Sequence, residues 1–254
     1  MKLIVLGSGT SIPHPARSSA AYWLEVDNRT LLLDISADAP YRMAQEQLDW
    51  ANLDAIWISH LHLDHCAGLA PLLFTTRSAP QTKARRKPLT VFGAAGFKKL
   101  LHAIDEANNY GLLRQPFPLH LVEVEPGTEF ELLPGVIART FPTPHTKESQ
   151  AIRLTDTNGS TIVYTSDTGF SKDLATFAKG ADLLLIECSF YKNKPVDTHL
   201  ELSEAMQIAE TCAPGKVMLG HLYSNWDGID LAGKARLLWP GETLEAVDGL
   251  RLEI

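Results

Sequence analysis

Short apolar runs bounded by turn-forming residues recur along the whole chain. They predict strands near 2–6, 21–26, 30–34, 54–58, 89–92, 119–124, 129–132, 136–141, 150–155, 161–165, 182–187, 216–220 and 250–254. Between them, longer amphipathic stretches predict helices near 38–48, 67–75, 94–107, 171–178 and 203–212, with Ser203 as the expected N-cap of the last. Asp156-Thr157-Asn158-Gly159 carries Asn-Gly hairpin chemistry between two strands. Periodicity on its own supports a mixed α and β domain and nothing finer.

One six-residue run breaks this pattern of packing and turns. After the apolar strand Ala55-Ile56-Trp57-Ile58 come His60-Leu61-His62-Leu63-Asp64-His65, and Cys66-Ala67-Gly68-Leu69 then reads as the start of a helix. Turns favour Gly, Asn, Asp and Pro rather than three imidazoles. Neutral imidazole and carboxylate are the donors that borderline divalent cations such as Zn²⁺ prefer. If the run is extended, alternate side chains diverge and one ion cannot collect all four donors. Two ions roughly 3.5–4 Å apart relieve that geometry, and each then needs donors from elsewhere.

Three further residues sit just beyond apolar strands, where open sheets place their chemistry. They are His145 in Phe141-Pro142-Thr143-Pro144-His145, Asp167 in Tyr164-Thr165-Ser166-Asp167, and His221 after Val217-Met218-Leu219-Gly220. Glu187 closes the buried strand Leu183-Leu184-Leu185-Ile186, and His199 follows in a loop before a helix. His102, in an amphipathic helix, and His120, in a strand, read as structural, and His14, in a Pro-His-Pro loop near Arg17, borders the candidate site.

The opening Leu6-Gly7-Ser8-Gly9-Thr10 with Pro13 and Arg17, the His60–His65 run, and Glu187-Cys188-Ser189-Phe190 followed by His199 together resemble a metallo-β-lactamase-fold hydrolase. Within that superfamily the resemblance is to the branch of ribonuclease Z and its small phosphodiesterase relatives, and it spans nearly the whole chain. It implies an α/β (α+β) fold, a four-layer αββα metallo-β-lactamase sandwich, as one domain over residues 1–254 with the site along one edge between the sheets. It also implies two divalent metal ions, zinc before manganese or iron. His60, His62 and His145 would hold one, Asp64, His65 and His221 the other, with Asp167 bridging. In such relatives a hydroxide between the ions attacks phosphorus, and Asp64 takes the water's proton. Glu187 orients His199, which protonates the leaving oxygen. The implied substrate is a small cyclic or terminal phosphodiester, or an RNA 3′ end cut as by an endonuclease, and the implied assembly is a homodimer.

Two departures weigh on substrate. Where ribonuclease Z follows its last metal histidine with Ser and then an Arg–aromatic pair, this chain has His221-Leu222-Tyr223-Ser224-Asn225-Trp226, with Asn225 at the Arg position. The long basic arm that grips tRNA has no counterpart between Cys66 and Pro144, where the one basic run, Lys83-Ala84-Arg85-Arg86-Lys87, is either a solvated loop or a substrate-facing one. Acyl hydrolysis by a lactonase, thioesterase or β-lactamase-like enzyme on the same ions is the competing reading, and a non-catalytic metal-binding protein is the third. The Glu187–His199 pair favours the phosphodiester.

Composition adds boundaries. A net charge of −7 weighs against avid binding of long nucleic acids. At 45% apolar over 254 residues, the chain can bury a core typical of one sizeable domain. No run approaches membrane-spanning length and the apolar start is too short for a signal peptide. Cys66, Cys188 and Cys212, odd in number and widely spaced, suit reduced thiols and a cytoplasmic location, with Cys66 expected to pack behind the metal run.

Overall fold

A computed structural model describes all 254 residues. The first half contains β1 (Lys2–Gly7), β2 (Ala21–Val26), β3 (Arg29–Leu33), α1 (Ala39–Gln45), β4 (Ala55–Ile58), α2 (Leu63–Cys66), α3 (Leu69–Ser78), β5 (Leu89–Gly93), α4 (Phe97–Ala107) and β6 (Leu119–Glu123). The second half contains β7 (Glu129–Leu133), β8 (Val136–Pro142), β9 (Gln150–Thr155), β10 (Thr161–Tyr164), α5 (Lys172–Phe177), β11 (Leu183–Glu187), α6 (Leu202–Cys212), β12 (Lys216–Gly220), α7 (Leu231–Arg236) and β13 (Glu242–Glu245). A last strand, β14 (Arg251–Glu253), returns to the first half and pairs antiparallel with β1.

The two sheets run β14-β1-β2-β3-β4-β5-β6 and β13-β12-β11-β10-β9-β8-β7. Each begins with an antiparallel meander and continues as parallel strands joined by crossover helices. Parallel strands are buried on both faces, which accounts for their unbroken apolar runs. In β4, Ala55 and Trp57 point into the core between the sheets, while Ile56 and Ile58 pack beneath the helices of the first half. In β11, Leu183 and Leu185 face the same central core, and Leu184 and Ile186 pack under the helices of the second half. Three apolar layers therefore separate helix, sheet, sheet and helix, the αββα sandwich of the metallo-β-lactamase fold. No helix is long and apolar enough to cross a membrane.

Several local expectations change. The helix after the His run is two helices: α2 carries Asp64 and His65, and α3 restarts after a break at Ala67-Gly68. The run is thus extended only as far as His62 (φ −64°, ψ 144°) and then turns helical. Gly68 marks the break because its amide donates to Ile35 O at 2.9 Å and a Cβ there would lie 2.1 Å from Ser36 O. α6 begins one residue early, at Leu202, with Glu201 and not Ser203 at its N-cap, and the Glu201 amide donates to Glu204 Oε2 at 3.1 Å. α7 and β13 have no strong sequence signal. The first is a six-residue helix containing Gly233, held by Asp230 accepting from the Gly233 amide at 2.9 Å, and the second is a short polar edge strand.

The basic run is a solvated loop at Lys83, Ala84 and Arg86, all exposed, but not at Arg85. Arg85 is buried, donating to the carbonyls of Ala51, Leu53, Lys87 and Pro88 at 2.7–2.9 Å, with its guanidinium carbon 4.3 Å from the centre of the Phe117 ring. Lys87 pairs with Asp54 at 2.9 Å. This segment precedes β5, so it lies at the end of the sheet opposite the C-terminal ends of the parallel strands. The three cysteines are all buried and unpaired, and His102 and His120 are exposed.

Gly68→Ala should test how tightly the metal run is seated. Overpacking against backbone costs about 1–3 kcal/mol. For a chain of this size that is a fall in Tm of roughly 2–12 °C, readable by thermal unfolding followed by circular dichroism.

Candidate metal centre

The side chains singled out in the sequence leave the sheets at one edge. His60, His62, Asp64 and His65 follow β4, Asp167 follows β10, Glu187 ends β11 with His199 before α6, and His221 follows β12. These are all C-terminal ends of parallel strands. His145 joins them from the antiparallel connection between β8 and β9. His62, His145 and Asp167 group with His60, and Asp64 and His221 group with His65, each set with its nearest donor atoms within 4.8 Å of one another.

Asp167 stands between the two groups. Its Oδ2 faces His60 Nε2 at 3.8 Å and His145 Nε2 at 3.6 Å, while its Oδ1 faces His65 Nε2 at 3.2 Å and His221 Nε2 at 3.3 Å. Asp64 Oδ2 completes the second group, 3.5 Å from His221 Nε2 and 3.7 Å from His65 Nε2. His62 Nδ1 meets His145 Nε2 at 3.0 Å in the first.

Four of the five imidazoles, all but His62, are held from behind through Nδ1. His65 Nδ1 donates to Asp34 Oδ2 at 2.7 Å, and His145 Nδ1 donates to Thr198 O at 3.0 Å. Ser59 Oγ lies 3.1 Å from His60 Nδ1, and Ser189 Oγ lies 3.0 Å from His221 Nδ1. The inward nitrogens of His60, His65 and His221 and Oδ1 of Asp167 are buried with no hydrogen-bond partner. Buried polar atoms are nearly always paired. Three nitrogen lone pairs and a carboxylate oxygen converging without donors form a set that fits divalent cations.

Electrostatics agree for the first group; at His65, by contrast, burial is outweighed by the charges and hydrogen bonds of Asp167 and Asp34, which raise its pKa well above the ordinary value. Burial, reinforced by the neighbouring His65 charge, pushes the His60 pKa down to about 2 and keeps its ring neutral, as a ligand must be. Burial also dominates the lowering of the His145 pKa. Burial opposes ionisation of Asp167, but the surrounding histidines, His221 and His65 foremost, hold its carboxyl well below the usual carboxylate range. Asp64 follows the same balance: burial is outweighed by the neighbouring His221 and His65 imidazoles, leaving its pKa at about 2.

The sequence reading missed Asp34. It ends the apolar strand Leu31-Leu32-Leu33 and is fully buried, accepting from the Ser59 amide and hydroxyl, His65 and Tyr164 at 2.7–2.8 Å. The signal was a carboxylate closing a wholly apolar strand, the same pattern that marks Glu187. Asp34, Ser166 and His221 all leave their strands in the left-handed region, with φ of +56°, +52° and +55°. Such backbone is uncommon outside glycine and clusters at functional sites.

Glu187 is buried, and its Oε1 accepts from His199 Nδ1 at 2.9 Å and from the Thr168 amide at 2.7 Å. Its Oε2 accepts from Ser189 Oγ at 2.6 Å and from the Leu200 amide at 3.1 Å. His199 stacks on His221, with ring centroids 5.3 Å apart and planes 15° apart. Burial disfavours a charged His199, yet the hydrogen bond and charge of Glu187 prevail and raise its pKa above the ordinary value. His62, Leu63, Asp64, Asp167, His199 and His221 open onto a cavity of about 400 Å³ that Ser11 and Tyr223 also line.

Known proteins place this arrangement. The chain is 27% identical over 256 residues to the Bacillus subtilis protein described as "Probable metallo-hydrolase YhfI", covering 98% of both chains. The crystal structure of that protein, a metallo-β-lactamase fold protein, superposes with a TM-score of 0.84 at 23% identity, over 100% of this chain and 99% of the other. The short form of human tRNase Z matches with a TM-score of 0.78 at 20% identity, covering 100% and 99%. A diphosphatase of the PhnP family matches with a TM-score of 0.76 at 21% identity, covering 100% and 97%. The family described as Anti-Pycsar protein Apyc1 matches residues 1–238, and this metallo-hydrolase chain belongs to it.

Proposed function

We propose that this protein is a phosphodiesterase acting on small, cyclic or terminal phosphodiesters. The observation that carries this reading is the Glu187–His199 pair. His199 Nδ1 is committed to Glu187, so its other nitrogen faces the cavity beside Asp167 and His221. A phosphodiester with an alkoxide leaving group calls for a proton donor at that position, and the buried Glu187–His199 pair supplies one.

His60, His62, His145 and Asp167 would hold one divalent cation, and Asp64, His65, His221 and the other oxygen of Asp167 a second, with zinc the cation best suited to the donors. Bound there, the cations supply positive charge to the phosphoryl oxygens and lower the pKa of a water nucleophile towards roughly 7. Asp64 accepts the proton that water gives up. Protonated His199 donates from Nε2 to the departing oxygen, a contribution of about 10²–10⁴-fold. Glu187 is a positioning residue: it fixes the tautomer of His199 and keeps the ring charged. The folding of residues 66–144 into α3, β5, α4 and β6–β8 supports a small substrate over an RNA chain, as does Asn225, exposed at the position where the related enzymes carry Arg.

Metal analysis of the purified protein should find about two divalent ions per chain. Chelation should abolish turnover, and zinc or manganese should restore it. His199→Ala should retain the metal but lose about 10²–10⁴-fold in kcat on 3′,5′-cyclic adenosine monophosphate, whose ribose oxygen leaves poorly. The same variant should lose far less on bis-p-nitrophenyl phosphate, whose nitrophenolate leaves unaided. Equal losses on both substrates, or hydrolysis of a lactone alone, would reject the reading. The acid works only while protonated, so activity falls as pH rises through the His199 pKa. Glu187→Gln removes the charge that raises that pKa, so the alkaline limb of the kcat profile should move to lower pH.

A further inference from the structure

Two arginines face each other across the second sheet. Arg139 on β8 lies directly opposite Arg153 on β9. Their strand neighbours Ala138, Ile152 and Leu154 belong to the core between the sheets, so both guanidiniums leave from the outer face. With Phe141, with Asp173 and Phe177 on α5, and with Lys179 just beyond it, they line a hollow of about 530 Å³. No residue of this hollow lines the cavity over the metal cluster. We propose that the hollow is a second ligand site, one that binds an organic phosphomonoester with its phosphoryl group on the two arginines and its apolar part against the phenylalanines.

Like charges directly opposite each other on a sheet are destabilising. Elsewhere in the molecule Arg17, Arg42 and Arg251 each meet a carboxylate at 2.7–3.1 Å, whereas Arg139, Arg153 and Lys179 form no ion pair. Arg153 is nevertheless held in place. Its Nη1 donates to Phe177 O at 3.3 Å and to Lys179 O at 3.1 Å, which fixes the guanidinium at the end of α5 and leaves Nε and Nη2 without a protein partner. Burial lowers its pKa against the pull of Asp182, and the Arg139 charge lowers it further. A dianion between the two forks would relieve that repulsion, and planar guanidiniums match phosphoryl oxygens two bonds at a time.

The rest of the hollow selects the kind of dianion. Phe141 and Phe177 stack with centroids 5.1 Å and planes 26° apart, an apolar wall beside the cations. Asp173, exposed, is the one carboxylate of the lining, so three cations face one anion in a chain of net charge −7. The volume is that of a small-molecule site, about 300–1,000 Å³. Three cations are too few for the track that a nucleic-acid backbone follows.

Phenyl phosphate is the probe, titrated into the metal-loaded protein while the arginine Nε–Hε signals are followed by NMR. These signals report the hollow whether or not the metal cluster also takes up the probe, and they need no turnover. Saturable shifts are expected for Arg139 and Arg153, with a Kd about tenfold or more below that for inorganic phosphate, equivalent to about 1.4 kcal/mol. Arg139 has no partner to lose, so Arg139→Gln should hydrolyse bis-p-nitrophenyl phosphate within about twofold of the wild type while the Kd read at Arg153 rises about tenfold or more. Absence of saturable shifts in the wild-type protein overturns the site without recourse to any variant. Equal affinity for phenyl phosphate and inorganic phosphate identifies an adventitious ion only, and overturns it too. A response to a phosphoserine peptide or to polyuridylate but not to phenyl phosphate has the same consequence.

Discussion

Inward nitrogens of His60, His65 and His221 and one oxygen of Asp167 are buried with nothing to bond to. Each such atom costs about 1–3 kcal/mol relative to a satisfied one. The fold nevertheless spends further interactions on holding them there: Asp34, Ser59, Ser189 and Thr198 O each fix an imidazole from behind. Rigid, unsatisfied and mutually close donors are tolerable in a protein only where a cation completes them. That constraint explains the left-handed backbone at Asp34, Ser166 and His221, and it accounts for the anionic pull on Asp167.

The sheets deliver the site because crossover helices force every parallel strand to point the same way. Residues that close β3, β4, β10, β11 and β12 therefore share one edge without any sequence proximity. The connection after β4 contributes four groups, His60, His62, Asp64 and His65, the last two because the chain turns helical just after His62, and the other four connections contribute one or two each. The Glu187–His199 pair lies on that edge for the same reason, Glu187 at the end of β11 and His199 in the connection that follows.

Much of this was legible because buried parallel strands write themselves as unbroken apolar runs and the polar residue that ends each one stands out. Asp167, Glu187 and His221 stand out that way, the His60–His65 run by its own density of imidazoles, and His145 by the prolines that end antiparallel β8. Asp34 carried the same signal but no histidine beside it, and its role appears only when His65 and Tyr164 arrive from distant strands. Within the run at Lys83–Lys87, Arg85 departs from the expectation of solvent: four backbone carbonyls satisfy its guanidinium in the interior, while Lys83 and Arg86 stay exposed. α7 and β13 were illegible because tertiary contacts, not periodicity, hold a short Gly-containing helix and a polar edge strand. Ser203 was displaced as N-cap because α6 begins at Leu202, where Glu201 and Glu204 face each other across the first turn.

β14 pairs with β1 although they lie at opposite ends of the described chain, with Lys2 beside Glu253 and Leu3 beside Leu252. The first sheet thus borrows its edge strand from beyond the second, and neither half is complete by itself. Loop closure over such a span comes late in folding, because its entropic cost must be met by contacts already formed. A nascent or partly unfolded molecule can hold the His60–His65 segment in place and still present the open flank of β1, a surface able to recruit a strand from a neighbouring molecule. Sealing that flank makes the topology of the polypeptide a safeguard against self-association.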